Sequence, residues 1–126
     1  MASGGLYAAN RYRATILRWV DGDTVELLVD LGQSVHRRDK YRLARIDAPE
    51  TTLRSGVTPQ EKQEGLALKE YVAERWPAGT PCEIQTVERG KFGRYVVEIV
   101  VLHEGLPLNI STTLYAMIAE GDQAPP

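Results

Sequence analysis

The chain has 126 residues, of which 43% are hydrophobic and 25% are charged. This size allows one globular domain whose core needs neither disulfides nor a metal to fold. The net charge of −2 argues against a protein that coats nucleic acid, because such domains are strongly basic. No apolar run approaches the roughly 18 residues of a membrane span, and the first residues contain no hydrophobic segment typical of a signal peptide. We therefore expect a cytoplasmic protein with no membrane contact, although a secreted protein without its signal would look the same.

Metal ligands are restricted by composition. Cys82 is the only cysteine and the chain has only two histidines, so the sequence contains no thiolate or imidazole cluster. Any metal site must therefore use oxygen ligands. Positive charge is concentrated locally, since residues 37–45 contain five basic residues and one acidic residue.

The first third of the sequence predicts three β-strands. Residues 12–20 and 23–31 are rich in strand-forming residues, with apolar residues alternating at period two. The Asp-Gly pair at 21–22 lies between them and indicates a hairpin, because Gly accepts positive φ. A third strand is predicted over 37–46 and ends before Pro49, which lacks a backbone donor.

A helix is predicted over residues 59–76. Thr58 fits the N-cap and Pro59 the first helical position, while Glu61 completes a capping box. Apolar residues follow at helical spacing, and Pro77 ends the helix.

The remaining sequence predicts two strands and a second helix. Strands over 82–88 and 94–102 are joined by a Gly-bounded loop and should form a hairpin. The helix is predicted over 107–119, with Asn109 or Ser111 as its N-cap.

This order of elements predicts an α+β, mainly β fold: a five-stranded barrel of the oligonucleotide/oligosaccharide-binding (OB) type with two packed helices. An open α+β sheet is the alternative. The domain should span residues 12–119, after a flexible segment at 1–11 and before a disordered tail at 120–126. Trp19 and Trp76 are expected in its core.

Five charged residues at strand ends or turns are candidates for chemistry. Asp23, Asp47 and Glu50 offer the hard oxygen ligands that calcium or magnesium prefers. Arg42 and Arg94 each carry a planar guanidinium that matches a phosphate group. Taken singly, each of these residues is better explained by turn formation or a surface ion pair than by a role in chemistry.

Three motifs in this sequence resemble the staphylococcal nuclease (thermonuclease, micrococcal nuclease) family. They are VDGDTV at 20–25, YRLARIDAPET at 41–51 and RGKFGRYVVEI at 89–99, in the family's order and approximate spacing. LNISTTLYA at 108–116 resembles the segment that follows the barrel in that family. The resemblance covers roughly residues 12–118.

The resemblance implies a Ca²⁺ site, with Mg²⁺ less expected. Asp23 and Asp47 match the side-chain ligands, and Ala48 matches the residue that supplies a main-chain carbonyl. Asp21 matches a nearby carboxylate that does not bind the ion directly.

The resemblance also implies roles in catalysis and substrate binding. Glu50 matches the residue that positions or deprotonates the attacking water, and Arg42 the arginine that binds the phosphate. Arg94 matches the arginine on the leaving-group side. Lys91 and Phe92 match substrate-binding positions, where Phe92 replaces a tyrosine and keeps a ring for stacking.

The sequence also departs from the family. It ends before the family's usual third C-terminal helix, and the family's second stacking tyrosine has no counterpart. These differences, with the acidic net charge, are expected to affect affinity, substrate preference and stability rather than chemistry.

The resemblance implies a calcium-dependent endo- or exonuclease, a monomeric hydrolase of DNA and RNA with little sequence specificity. It should prefer single-stranded or frayed substrates and leave 3′-phosphate products. Two alternatives remain open. One is a non-catalytic nucleic-acid- or protein-binding barrel of the same fold, and the other is a magnesium-dependent enzyme acting on a small phosphate ester.

Overall fold

A computed structural model describes residues 10–46, 59–90 and 93–121. The elements in chain order are β1 (Arg11–Asp21), β2 (Thr24–Gly32), β3 (Val35–Leu43), α1 (Pro59–Arg75), β4 (Pro81–Arg89), β5 (Tyr95–His103), β6 (Leu106–Asn109) and α2 (Ile110–Gly121).

The strands form a closed barrel. Antiparallel pairing gives the order β3-β2-β1-β4-β5-β6, and a parallel pairing between β3 and β5 joins the two sides. Five strands therefore enclose the core, while β6 extends the far end of β5. The predicted α+β class with a five-stranded OB-like barrel and two helices is confirmed, and the open-sheet alternative is wrong.

The core follows from the period-two pattern of the strands. Ile16, Leu27, Val97 and Ile99 are fully buried because alternate positions of β1, β2 and β5 face the barrel interior. α1 places one apolar face against this interior, with Val72 also fully buried. Burial of this continuous apolar surface is the main stabilising term.

The two tryptophans connect the barrel to the end of α1. Trp19 and Trp76 are 4% and 5% exposed, which confirms their predicted place in the core. The Trp19 Nε1–H donates to the Trp76 carbonyl oxygen at 2.8 Å, and the ring centroids are 6.5 Å apart. The indole N–H is thereby satisfied where water cannot reach it.

The third strand is shorter than predicted. β3 ends at Leu43 rather than at residue 46, because Ala44 and Arg45 form a turn in which Arg45 has a positive φ of 67°. The Ala44 N–H still donates to the Val97 carbonyl at 2.9 Å, so the turn remains attached to β5. Pro49, the predicted end signal, lies outside the described residues.

A sixth strand precedes the second helix, which therefore begins later than predicted. Glu104 and Gly105, at φ values of 54° and 82°, form a two-residue turn that pairs β6 with β5. The second helix begins at Ile110 rather than at residue 107. Asn109 is its N-cap, since its Oδ1 accepts the Thr112 N–H at 3.0 Å. Within the described ranges, neither helix is long and apolar enough to cross a membrane.

We predict that Trp19→Phe lowers the free energy of unfolding by about 1–3 kcal/mol, because the buried Trp76 carbonyl loses its donor. The shift in the urea midpoint measures this effect. Tyr115→Phe, at a residue that is 56% exposed, is the control and should change stability by less than about 0.5 kcal/mol. Equal effects of both substitutions would refute the role of the indole hydrogen bond.

Candidate functional site

The ends of three strands meet where the barrel closes. Asp23 immediately precedes β2, Arg42 is the penultimate residue of β3, and Arg94 immediately precedes β5. Arg42 pairs with Thr24 on one side and with Val96 on the other. Thr24, Arg42 and Val96 thus form one row across three strands. Asp23 lies one residue from this row and Arg94 lies two residues from it.

Asp23 supplies a carboxylate at the barrel wall. The residue is 8% exposed, and its backbone carbonyl accepts the Leu43 N–H at 2.8 Å. Its Oδ1 accepts the Thr24 hydroxyl at 3.0 Å, and its Oδ2 lies 3.8 Å from Arg42 Nη2. A carboxylate removed from water in this way requires nearby positive charge, whether from arginine or from a metal ion.

Arg42 combines anchoring with access to solvent. Its Nη2 donates to the Ile46 carbonyl at 3.4 Å and lies near Asp23, while 45% of the side chain is exposed. Because a guanidinium carries five N–H donors, an anchored and half-exposed arginine can also hydrogen-bond a ligand that arrives from solvent.

Arg94 is placed by the turn between β4 and β5. Gly93 has a φ of 78°, a left-handed conformation that favours glycine, and the Arg94 carbonyl accepts the Gly90 N–H at 2.6 Å. The Arg94 residue is exposed immediately before β5. The glycines thus fix the direction in which the chain enters the barrel at this arginine.

The structure describes only part of the predicted site. Asp47, Ala48, Glu50, Lys91 and Phe92 all lie outside the described residues, so their assigned roles stay predictions.

Asp21 is the last residue of β1 and pairs with Thr24 across the turn that carries Asp23. Over residues 10–46, 59–90 and 93–121, no three His, Cys, Asp or Glu side chains come together as a metal-binding group. Of the two carboxylates at this turn, only Asp23 is a predicted direct ligand, and its oxygen donors are of the type that suits a hard cation.

Arg45 makes structural contacts rather than facing this site. Its Nη2 donates to Glu98 Oε1 at 2.8 Å and to Thr112 Oγ1 at 3.1 Å, and its Nε donates to Glu98 Oε2 at 3.2 Å. Asn109 Nδ2 donates to the same carboxylate at 3.0 Å. These bonds attach the turn after β3 to β5 and α2, at the point where the chain leaves towards residues 47–50.

Sequence analysis missed a second group of cationic side chains near Arg94. The guanidinium carbons of Arg37 and Arg89 lie 5.4 and 5.8 Å from the centroid of the Tyr95 ring. Arg89 and Tyr95 belong to the RGKFGRYVVEI motif, but Arg37 is remote in sequence. The only indication of Arg37 in the sequence was the high density of basic residues at 37–45.

Comparison of the chain with models of protein families and with curated proteins found no match. The resemblance to the staphylococcal nuclease family therefore rests on the three sequence motifs and stays a prediction.

We predict that Glu98→Gln lowers stability at neutral pH by about 0.5–1 kcal/mol, a modest value because Arg45 and Glu98 are partly exposed. The Arg45 hydrogen bond holds the pKa of Glu98 below its ordinary value of 4.5. A lowered folded-state pKa stabilises the fold above pH 4.5, and this contribution is lost as the pH falls through the folded-state value.

Urea unfolding as a function of pH measures this contribution. The Glu98→Gln variant should lose less stability than the parent on acidification. Glu70→Gln, at an exposed position of α1, changes the charge equally and should keep the parental slope. An unaltered slope in Glu98→Gln would show that the ion pair contributes nothing.

Proposed function

We propose that this protein is a calcium-dependent phosphodiesterase that hydrolyses DNA and RNA with low sequence specificity and prefers single-stranded or frayed substrates. The observation that carries the proposal is that Asp23 and Arg94 lie within two residues of the row Thr24–Arg42–Val96, where the barrel closes. Asp23, Arg42 and Arg94 come from the three motifs that resemble the staphylococcal nuclease family, one from each.

Two arginines would bind the reacting phosphate. Arg42 has 45% of its side chain exposed, and Arg94 is exposed at the start of the neighbouring strand. A guanidinium can form two parallel hydrogen bonds to phosphate oxygens, so arginines on neighbouring strands can hold the group from two sides.

Asp23 and Asp47 would hold the metal ion, with the Ala48 carbonyl as a further ligand and Asp21 close by. The buried carboxylate of Asp23 fits this assignment, because calcium prefers oxygen ligands and a buried anion requires positive charge. When bound, the ion would offset negative charge on a phosphate oxygen.

In the reaction, Glu50 would align a water molecule and accept its proton as the water oxygen bonds to phosphorus. Arg42 and Arg94 would stabilise the additional charge of the five-coordinate phosphorus. The bond between phosphorus and the 5′ oxygen then breaks, and the leaving oxygen takes up a proton. The products are a 5′-hydroxyl and a 3′-phosphate.

A non-catalytic binding barrel is the second candidate. One observation favours it: Arg42 already contacts Asp23 and the Ile46 carbonyl within the protein, as an arginine with a purely structural role would. Such a protein would bind nucleic acid or a protein partner without cleaving phosphodiester bonds.

We predict that the purified chain degrades heat-denatured DNA and RNA in calcium, does so less in magnesium, and is inactive in excess chelator. Product ends are identified by phosphatase treatment and gel mobility. Absence of degradation in every condition would favour the binding barrel. Equal degradation in chelator would exclude the metal requirement.

We predict that Arg42→Ala and Arg94→Ala each reduce kcat by about 10²-fold or more, because each removes a donor to the charged transition state. Arg13→Ala, which removes the same charge from an exposed position of β1, should retain parental activity. Thermal midpoints establish that all three variants are folded. Full activity in a folded Arg42 or Arg94 variant would remove that residue from the mechanism.

A further inference from the structure

A second cationic group lies beside the proposed phosphate site, centred on Tyr95. This group, the Tyr95 cluster, consists of Arg37, Arg89 and Tyr95. Both guanidinium carbons are within 6 Å of the ring centroid, at 5.4 and 5.8 Å, which is the range of a cation–π contact. Arg37 and Arg89 are exposed, while Tyr95 is partly buried.

Strand pairing brings these three residues together. Arg89 pairs directly with Tyr95 in the β4–β5 hairpin, and Tyr95 pairs with Tyr41 in the parallel β3–β5 ladder. Arg37 lies four residues before Tyr41 and shares its face of β3, because side chains alternate along a strand. Barrel closure, which also assembles the proposed site, therefore builds the Tyr95 cluster.

The cluster and its surroundings remain positively charged despite an acidic neighbour. Arg37 Nη2 donates to Asp39 Oδ2 at 2.7 Å, where both side chains are over 40% exposed. The pKa of Asp39 is lowered first by Arg37, then by the Lys40 N–H, and also by the charge of Arg94. Arg37 and Arg94 therefore act on this ionised carboxylate, and Arg89 lies over the same Tyr95 ring as Arg37. The local charge is positive although the whole chain is acidic.

The ring contacts restrict both guanidinium groups. Arg89 also packs on the turn before β5, where its Nε donates to the Gly93 carbonyl at 3.4 Å. A guanidinium already restricted by a ring and a backbone carbonyl loses less rotamer entropy when it binds a ligand. An exposed ion pair such as Arg37–Asp39 contributes little, about 0–1 kcal/mol, so an incoming phosphate can replace the carboxylate.

We propose that the Tyr95 cluster binds the sugar-phosphate backbone of single-stranded nucleic acid at a second point, adjacent to the phosphate that Arg94 contacts. Tyr95 begins the ladder between β3 and β5, directly after Arg94, and the charge of Arg94 also acts on Asp39, the ion-pair partner of Arg37. One nucleic-acid strand can therefore contact both points. Cationic and aromatic groups arranged along a groove are the general means by which proteins bind single strands without reading sequence. The proposal takes its class of ligand from the proposed function but requires no catalysis.

The test measures binding of fluorescently labelled oligothymidylates by anisotropy, in excess chelator so that no cleavage occurs. The double variant Arg37→Gln/Arg89→Gln should bind a strand of about 16 nucleotides roughly 3- to 10-fold more weakly than the parent. A dinucleoside monophosphate has a single phosphate and cannot occupy both points at once, so the double substitution should weaken its binding less than that of the longer strand.

Arg75→Gln is the matched control. Arg75 also stacks over a tyrosine, with its guanidinium carbon 5.3 Å from the Tyr71 centroid, but it lies at the end of α1. Its substitution removes one positive charge and the contacts of Arg75 with the Tyr71 and Trp76 rings, and should leave DNA affinity unchanged. Thermal midpoints verify that both variants are folded.

Two further measurements test the electrostatic basis. The dependence of log affinity on log salt should become shallower in the double variant by about 0.7 for each phosphate that it no longer neutralises. Asp39→Asn should change affinity in the opposite direction, tightening binding by about 2-fold, because it removes the negative charge that Arg37 contacts.

Unchanged affinity and salt dependence in the double variant would overturn the proposal. So would stronger binding of polyglutamate than of DNA, since that would identify an acidic protein as the ligand. If the parent cleaves nothing but the variants alter binding as described, the Tyr95 cluster stands and the phosphodiesterase fails. If the parent cleaves DNA but the double variant binds it with parental affinity, the phosphodiesterase stands and the Tyr95 cluster fails as a binding site.

Discussion

The short parallel ladder between β3 and β5 is the constraint on which the rest of the structure depends. It consists of three residue pairs, from Tyr41–Tyr95 to Leu43–Val97, and it converts a twisted sheet into a closed barrel. Closure buries Val97 and Leu43 against β1 and β2 and removes a sheet edge that would otherwise be exposed. The same pairs position Arg42 beside the start of β5. Stability and the candidate site therefore share one structural origin.

A buried charged group lies near the end of this ladder. Asp23 is a buried carboxylate that lies 3.8 Å from the Arg42 guanidinium and accepts the Thr24 hydroxyl. Burial of an anion is unfavourable unless hydrogen bonds and positive charge offset it. In contrast, the closer and more exposed Arg45–Glu98 pair stabilises the neighbouring turn. Arg45 is thus held in structural contacts, while Arg42 keeps 45% of its side chain exposed beside a buried carboxylate.

Charge on this protein is distributed unevenly, and the distribution matters more than the total. The net charge of −2 argues against strong binding to long polyanions. Residues 37–45 nevertheless contain five basic residues and one acidic residue, and β5 begins beside two further arginines at 89 and 94. A local positive surface on an acidic protein can bind one strand of a polyanion while the rest of the surface limits non-specific association.

Several features followed from the sequence alone because they depend on local physical chemistry. Strand alternation, the hairpin between β1 and β2 and the Asn109 cap depend on neighbouring residues, and the structure has each of them. The hairpin turn itself is Gly22–Asp23 rather than the predicted Asp21–Gly22, because Asp21 still pairs with Thr24. The order of elements also predicted the barrel. The motifs contain the candidate residues, but the spacing of the motifs does not establish that Asp23, Arg42 and Arg94 lie near one row of the barrel.

Tertiary structure decided the features that depend on distant partners. β3 ends at Leu43 because Arg45 turns to bind Glu98, and β6 exists because β5 has an edge available for pairing beyond its contact with β3. Arg37 meets Tyr95 only through the closed barrel, across more than fifty residues of chain. A sequence pattern specifies which face of its strand a residue occupies. Which residues of distant strands become neighbours on that face depends on the closure of the barrel.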